Sequence, residues 1–199
     1  MSEWHLMAVY NLKTNKWKGL LNSVRGTAET MNVVYGRPVI QHTDKATLLY
    51  VHGMYVSGRT EAALFRVNLT TGVEQLVKQG GDATDEWVIN DTGDIVAERD
   101  YLESSKRWSI RLFSDGRTRQ TISGIAAIDA PDILGLSAGE DAVVVALTEG
   151  ARIWKPLSIR DGTWGADLVA GESVTELLLK GGSQRMIGTG FVGDRTRYR

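Results

Sequence analysis

Two series of glycines recur at nearly constant spacing along this chain, and that spacing narrows the folds open to it. The first is Gly72, Gly116 and Gly162, with steps of 44 and 46 residues. The second is Gly93, Gly139 and Gly182, with steps of 46 and 43, and the two series interleave about every 22 residues. Around the first series the chain alternates apolar and polar residues on both sides of a short polar turn, the pattern of a half-buried hairpin. Residues 64–78 read LFRVNLTTGVEQLVK, 109–122 read SIRLFSDGRTRQTI, and 153–169 read IWKPLSIRDGTWGADLV. A fourth copy, AVYNLKTNKWKGLL at 8–21, has Asn15 in the glycine's place. Asn is the next best residue for left-handed backbone. Asp115-Gly116 and Asp161-Gly162 are hairpin signals because tight turns need positive φ, which Gly supplies without steric penalty.

The second series has the same strand–turn–strand form. It reads WVINDTGDIVAERDY at 87–101, ILGLSAGEDAVVVAL at 133–147 and, more weakly, ELLLKGGSQRMIGTG at 176–190. QHTDKATLLYVHG at 41–53 joins it without a glycine. Two hairpins per period of about 45 residues predict an all-β chain of the β-propeller type, each blade a four-stranded antiparallel meander. The repeats fall near 3–50, 51–103, 104–149 and 150–199, which makes about four to five blades. Both ends run in strand-like sequence, so a partial propeller is expected, with open blade edges available for self-association. The step from Asn15 to Gly72 is 57 residues, and the surplus is expected as a loop around Tyr55 to Glu61, where Ser57-Gly58 marks a turn. A short helical turn is conceivable only over Val24 to Asn32, weakened by Gly26.

Composition removes several function classes. The 23 basic and 24 acidic residues are spread evenly, giving a net charge of −1 and no nucleic-acid footprint. Cysteine is absent, and with it disulfides, thiolate zinc sites and a cysteine nucleophile. The longest apolar run, Ala142 to Leu147, is too short to span a membrane, and no membrane partner is expected. No signal peptide is visible at Met1 to Tyr10, which leaves cytoplasmic and exported (periplasmic) locations both open. Arg195, Arg197 and Arg199 alternate at the C-terminus and read as a solvated strand face.

One catalytic pattern is present. Gly135-Leu136-Ser137-Ala138-Gly139 fits G-x-S-x-G, the nucleophile elbow of α/β-hydrolases. An elbow needs a helix after the serine, whereas Glu140-Asp141 and a β-branched run follow here, so the motif reads as a turn in register with Asn90-Asp91-Thr92-Gly93. His42 and His52 would bind a metal only if a carboxylate joined them, and half-buried strand histidines are the commoner case. Asp82, Asp85, Glu86 and Glu103 read as solvated loop charges without calcium-loop spacing. Glu98 and Asp100 alternate on a strand end and could line a pore or cleft. Trp87, Trp108 and Trp154 are expected at strand starts, filling the space between sheets. Two sequons, at Asn68 and Asn90, fall in predicted turns that favour Asn and Thr in any case. No residue is assigned a catalytic, cofactor or metal role.

The run Leu64-Phe65-Arg66-Val67-Asn68-Leu69-Thr70-Thr71-Gly72 with Leu76-Val77 resembles the blade sequence of the propeller domain in prolyl oligopeptidase-family serine peptidases. Trp4 to Tyr10, Met31 to Val34, Ile128 to Pro131 and Leu134 to Ser137 are similar to bacterial members. The resemblance implies a propeller that precedes a C-terminal α/β-hydrolase domain, covers its active site and admits only short peptides. The family's catalytic residues map onto no position here, so no activity is expected from this chain alone, and its partners would be that hydrolase domain and peptide substrates. The alternative is a self-standing propeller that binds a protein or a small ligand.

Overall fold

The computed structural model describes residues 4–27, 31–126, 129–149, 151–168, 174–192 and 196–198. Among them every regular element is a β-strand, and every strand pair is antiparallel. The chain divides into two compact units, one ending at Thr84 and one beginning at Asp85.

The first unit holds β1 (Trp4–His5), β2 (Ala8–Asn11), β3 (Lys16–Gly19), β4 (Val34–His42), β5 (Thr47–Ser57), β6 (Arg59–Asn68) and β7 (Glu74–Gln79). β4 to β7 form a meander, β1 adds beside β4, and β2 with β3 stands as a separate two-stranded sheet. Val51 and Leu49 from β5, Phe65 and Val67 from β6, and Leu20 and Leu21 after β3 build its core. The first-series turns are formed by matching chemistry. Asn11 and Asn68 each accept, through the side-chain carbonyl, the N–H groups two and three residues on. Asn15 and Gly72 close those turns at φ 56° and 76°, with bonds of 2.9 and 2.7 Å back to residues 11 and 68.

One expectation is corrected here. Tyr55 to Glu61 is no loop: β5 and β6 stay paired as far as Ser57 and Arg59, turning on Gly58 at φ 80°. The extra residues lie instead between β3 and β4. There Leu21 and Ser23 donate to the Glu74 carboxylate, and the buried Thr27 hydroxyl donates to the Leu21 carbonyl at 2.6 Å. The described part of Val24 to Asn32 forms turns and no helix; residues 28–30 lie outside the described residues.

The second unit begins with β8 (Thr84–Ile89), β9 (Ile95–Leu102), β10 (Arg107–Ser114) and β11 (Arg117–Ile125), a four-stranded meander. Asp115 and Gly116, at φ 53° and 70°, make its two-residue hairpin. Next come β12 (Asp132–Leu136), β13 (Ala142–Glu149) and β14 (Ala151–Ser158). Residues 163–168 continue this sheet irregularly: Ser158 donates to Thr163, Gly165 to Pro156 and Leu168 to Trp154 across the gap. Gly165 is needed there, since a Cβ would meet the Pro156 ring at 2.7 Å. The last sheet is β15 (Val174–Leu179), β16 (Met186–Val192) and β17 (Thr196–Tyr198). Arg197 lies exposed in β17, while Arg195, Arg199 and Ile128 fall outside the described residues.

β13 explains the packing of this unit. Val143 and Val145 join a core with Val88, Ala97, Ile110 and Leu112, while Val144 and Ala146 join a second with Leu177 and Phe191. The sheet of β12 to β14 is therefore covered on both faces. That is why 142–147 is continuously apolar instead of alternating. Trp87 is fully buried on β8, whereas Trp108 and Trp154 sit on the third strands of their sheets. The three do not occupy equivalent places.

Two glycines should respond differently to substitution. Gly116→Ala keeps open space around its Cβ and should cost about 1 kcal/mol through positive φ alone. Gly135→Ala would place Cβ 2.3 Å from the Gln184 carbonyl and should cost roughly 3 kcal/mol or more in denaturant unfolding. Equal losses would contradict the close approach at Gly135.

Candidate functional site

The second-series turns come together. The turn after β8 carries Asp91, the turn after β12 carries Glu140, and the turn after β15 carries Lys180, Ser183, Gln184 and Arg185. Asp91 accepts from Lys180 and from the Ser183 hydroxyl, each at 2.6 Å. These bonds hold its carboxyl below the usual range. Arg185 lies 3.6 Å from Glu140 and 3.8 Å from Asp91. Beneath these charges the Gln184 side chain is buried. Its amide oxygen takes the Ile89 N–H at 2.7 Å, and its amide nitrogen donates to the Trp87 carbonyl. Its backbone carbonyl takes the Leu136 N–H at 2.8 Å. One residue thus joins the first strands of two sheets to the turn of a third.

The left-handed residue in the middle turn is Glu140 at φ 59°, not Gly139. Ser137, inside the G-x-S-x-G run, donates its hydroxyl to Asp141 at 2.7 Å and accepts the Ala142 N–H. It caps the turn into β13, and no helix follows it.

A cleft of about 400 Å³ opens elsewhere in the same unit, lined by Asp85, Arg99, Tyr101, Glu103, Asp129 and Asp132 among others. Arg99 is its organising group. Asp85 grips the guanidinium with both oxygens, at 2.9 and 2.8 Å, and Asp132 and the Pro131 carbonyl hold Nη1 at 2.6 and 2.9 Å. Burial opposes the charge on Arg99, but its carboxylate partners outweigh that and raise its pKa. Glu86 lies 3.7 Å from Arg99. Burial pushes its carboxyl up to about 7, with Arg99 acting in the opposite direction. Asp85 is also raised by burial, against the pull of Arg99. With the arginine's donors engaged and several carboxylates on the walls, the cleft favours a cationic occupant over an anionic one.

Asp85 and Glu86 are therefore not solvated loop charges; they lie on β8 and face Arg99. Glu98 and Asp100 both engage Arg111, and buried Glu98 also accepts the Trp87 indole N–H at 3.0 Å. This is a cross-strand ion pair, since Glu98 and Arg111 are directly opposed in register. The histidines are not brought together: His52 stacks on Tyr35 with ring centroids 5.6 Å apart, while His42 meets Thr47 at the other end of the β4–β5 pair. Among the described residues no three His, Asp or Glu side chains are arranged to hold a metal ion. Sequence reasoning missed Arg99 and Gln184. The only signal for Arg99 was its place between Glu98 and Asp100 on an alternating strand.

No protein-family model, no curated protein and no solved structure matches this chain.

Two variants test this geometry. A carboxyl whose folded pKa is raised contributes stability at low pH that is lost as pH climbs from its unfolded value near 4.5 through about 7. Glu86 keeps part of its surface in water, so the effect should be about 1–2 kcal/mol. Glu86→Gln should gain that much on the wild type between pH 5 and pH 8 in urea unfolding; a pH-independent difference would contradict it. Gln184→Ala leaves the Ile89 N–H and Trp87 carbonyl without their buried partner and should cost about 2–3 kcal/mol. A loss below about 0.5 kcal/mol would mean that the junction is not formed.

Proposed function

We propose that this chain is a segment of a β-propeller with no catalytic machinery of its own, belonging to a serine peptidase of the prolyl oligopeptidase type. In this role it covers a separate C-terminal hydrolase domain and admits short peptides while excluding folded proteins by size. The observation that carries this is the sheet of β12 to β14, covered on both faces by neighbouring meander sheets. Face-to-face meanders whose equivalent turns gather at Gln184 are what adjacent blades would require. The resemblance at Leu64 to Gly72 supplies the family, and the engagement of Ser137 in a turn supports a non-catalytic role. A second reading, a self-standing propeller that binds a ligand, is favoured by the carboxylate-walled cleft at Arg99 and would select a cationic group.

The purified chain should not hydrolyse chromogenic peptides, and a fluorophosphonate should not label it. Robust turnover, or stoichiometric labelling lost in Ser137→Ala, would overturn the proposal. The reading frame after Arg199 separates the two readings. A hydrolase domain with its own G-x-S-x-G supports the first, and a stop codon supports the second.

A further inference from the structure

Leu6-Met7-Ala8-Val9-Tyr10 is an unbroken apolar run, and β2 begins within it. Such a run suits a strand covered on both faces, as β13 is. Here only one face is covered. Met7 and Val9 pack against the first unit's core, whereas Leu6, Ala8 and Tyr10 alternate outward, with Trp17 of β3 directly opposite Tyr10. Leu6, Tyr10 and Trp17 are 77%, 51% and 74% exposed, and Leu12 in the turn is 86% exposed. A pair of strands is marginal in water without a further strand beside it. The Met7 carbonyl accepts from Leu20, so Met7, Val9 and Asn11 turn their backbone groups toward β3, and Ala8 and Tyr10 turn theirs away. Among the described residues no strand pairs with that outer side.

The charge around this edge has one sign. Residues 4–27 contain Lys13, Lys16, Lys18 and Arg25 and no Asp or Glu. Lys18 is engaged within the unit: it donates to the Gly72 carbonyl at 2.9 Å and lies 3.5 Å from Glu74. Lys13 and Lys16 are exposed and have no carboxylate partner among the described residues. Both lie at the turn end of the hairpin. The Lys13 N–H donates to the Asn11 side chain, and Lys16 is paired in register with Asn11.

We propose that β2 docks an extended acidic segment of another protein, added as a third strand antiparallel to β2, with its carboxylates at the turn end of the hairpin. A strand matches the outward N–H and C=O groups of Ala8 and Tyr10, which a lipid surface or a nucleic acid backbone does not. Its alternate apolar side chains cover the Tyr10 face and complete the second covering that the apolar run calls for. Its carboxylates meet Lys13 and Lys16. A second copy of this hairpin would bring lysine against lysine, and an uncharged strand would leave both unused. The order along the partner follows from the direction of pairing. An antiparallel strand enters beside the turn, so its acidic residues precede its apolar ones. The inference rests on β2 and β3 alone and is independent of the peptidase reading.

The test titrates the whole chain into a capped, fluorescent hexapeptide, Glu-Glu-Val-Thr-Val-Thr, and reads anisotropy. Binding should saturate in the micromolar range. Lysines in place of both peptide glutamates should weaken it at least about 10-fold, and so should Lys13→Glu combined with Lys16→Glu. Both lysines are exposed, so the double variant should keep the wild-type thermal unfolding curve. Peptide amides are then N-methylated in two alternate sets. The set that faces β2 should abolish binding, and the other should change it less than about 3-fold. No binding, equal binding of the glutamate and lysine peptides, no effect of the lysine reversals, or the same response to both methylated sets would each overturn the proposal. Tighter binding to phosphatidylserine–phosphatidylcholine vesicles or to an oligothymidylate than to the peptide would also overturn it, assigning the face to a membrane or a nucleic acid.

Discussion

The hydrogen bonds made by Gln184 are the constraint on which the second unit depends. The first strands of two meanders, β8 and β12, each have an inner edge whose backbone groups need partners once water is excluded. Gln184 meets both needs, with its side chain against Trp87 and Ile89 and its backbone against Leu136. Its amide acts as a short piece of strand. Removing it would leave polar groups stranded between apolar sheets, which is more damaging than losing an equal number of surface bonds.

Charge is arranged to suit this buried amide. The pairs of Asp91 with Lys180 and of Glu140 with Arg185 close the same junction from the solvent side. They are partly exposed, so their contribution is modest and lies more in fixing which turns meet. Arg99 is a different case. It is largely buried and tolerable there only because Asp85 and Asp132 satisfy its donors directly. Burial, which Arg99 offsets only in part, pushes the nearby Glu86 carboxyl up to about 7.

How much of this was legible follows from the range of each interaction. Turns are local, so Asn15, Gly72, Gly116, Gly162, Gly93 and Gly182 could be read from sequence, and all have positive φ. Gly139 was a near miss because the residue after it takes the left-handed place. Gly58 marked a real turn, but a single glycine cannot reveal that the strands beside it run on unbroken. The continuous apolar run at 142–147 encoded a sheet covered on both faces, although the sequence alone cannot say what covers it. Arg99 and Gln184 escaped because their partners lie far along the chain: Asp85 and Asp132 for the first, Trp87 and Ile89 for the second. A glutamine in the run Gly181-Gly182-Ser183-Gln184-Arg185 has the composition of an exposed loop, and only the fold buries it.

The most direct test of this account is native-state amide hydrogen exchange at Ile89 and Leu136. Neither N–H is expected to be protected by its own meander on that side; both depend on Gln184. The account predicts that both exchange as slowly as the central amides of β13, through opening of the whole unit. Rapid exchange at Ile89 and Leu136 while β13 stays protected would contradict it.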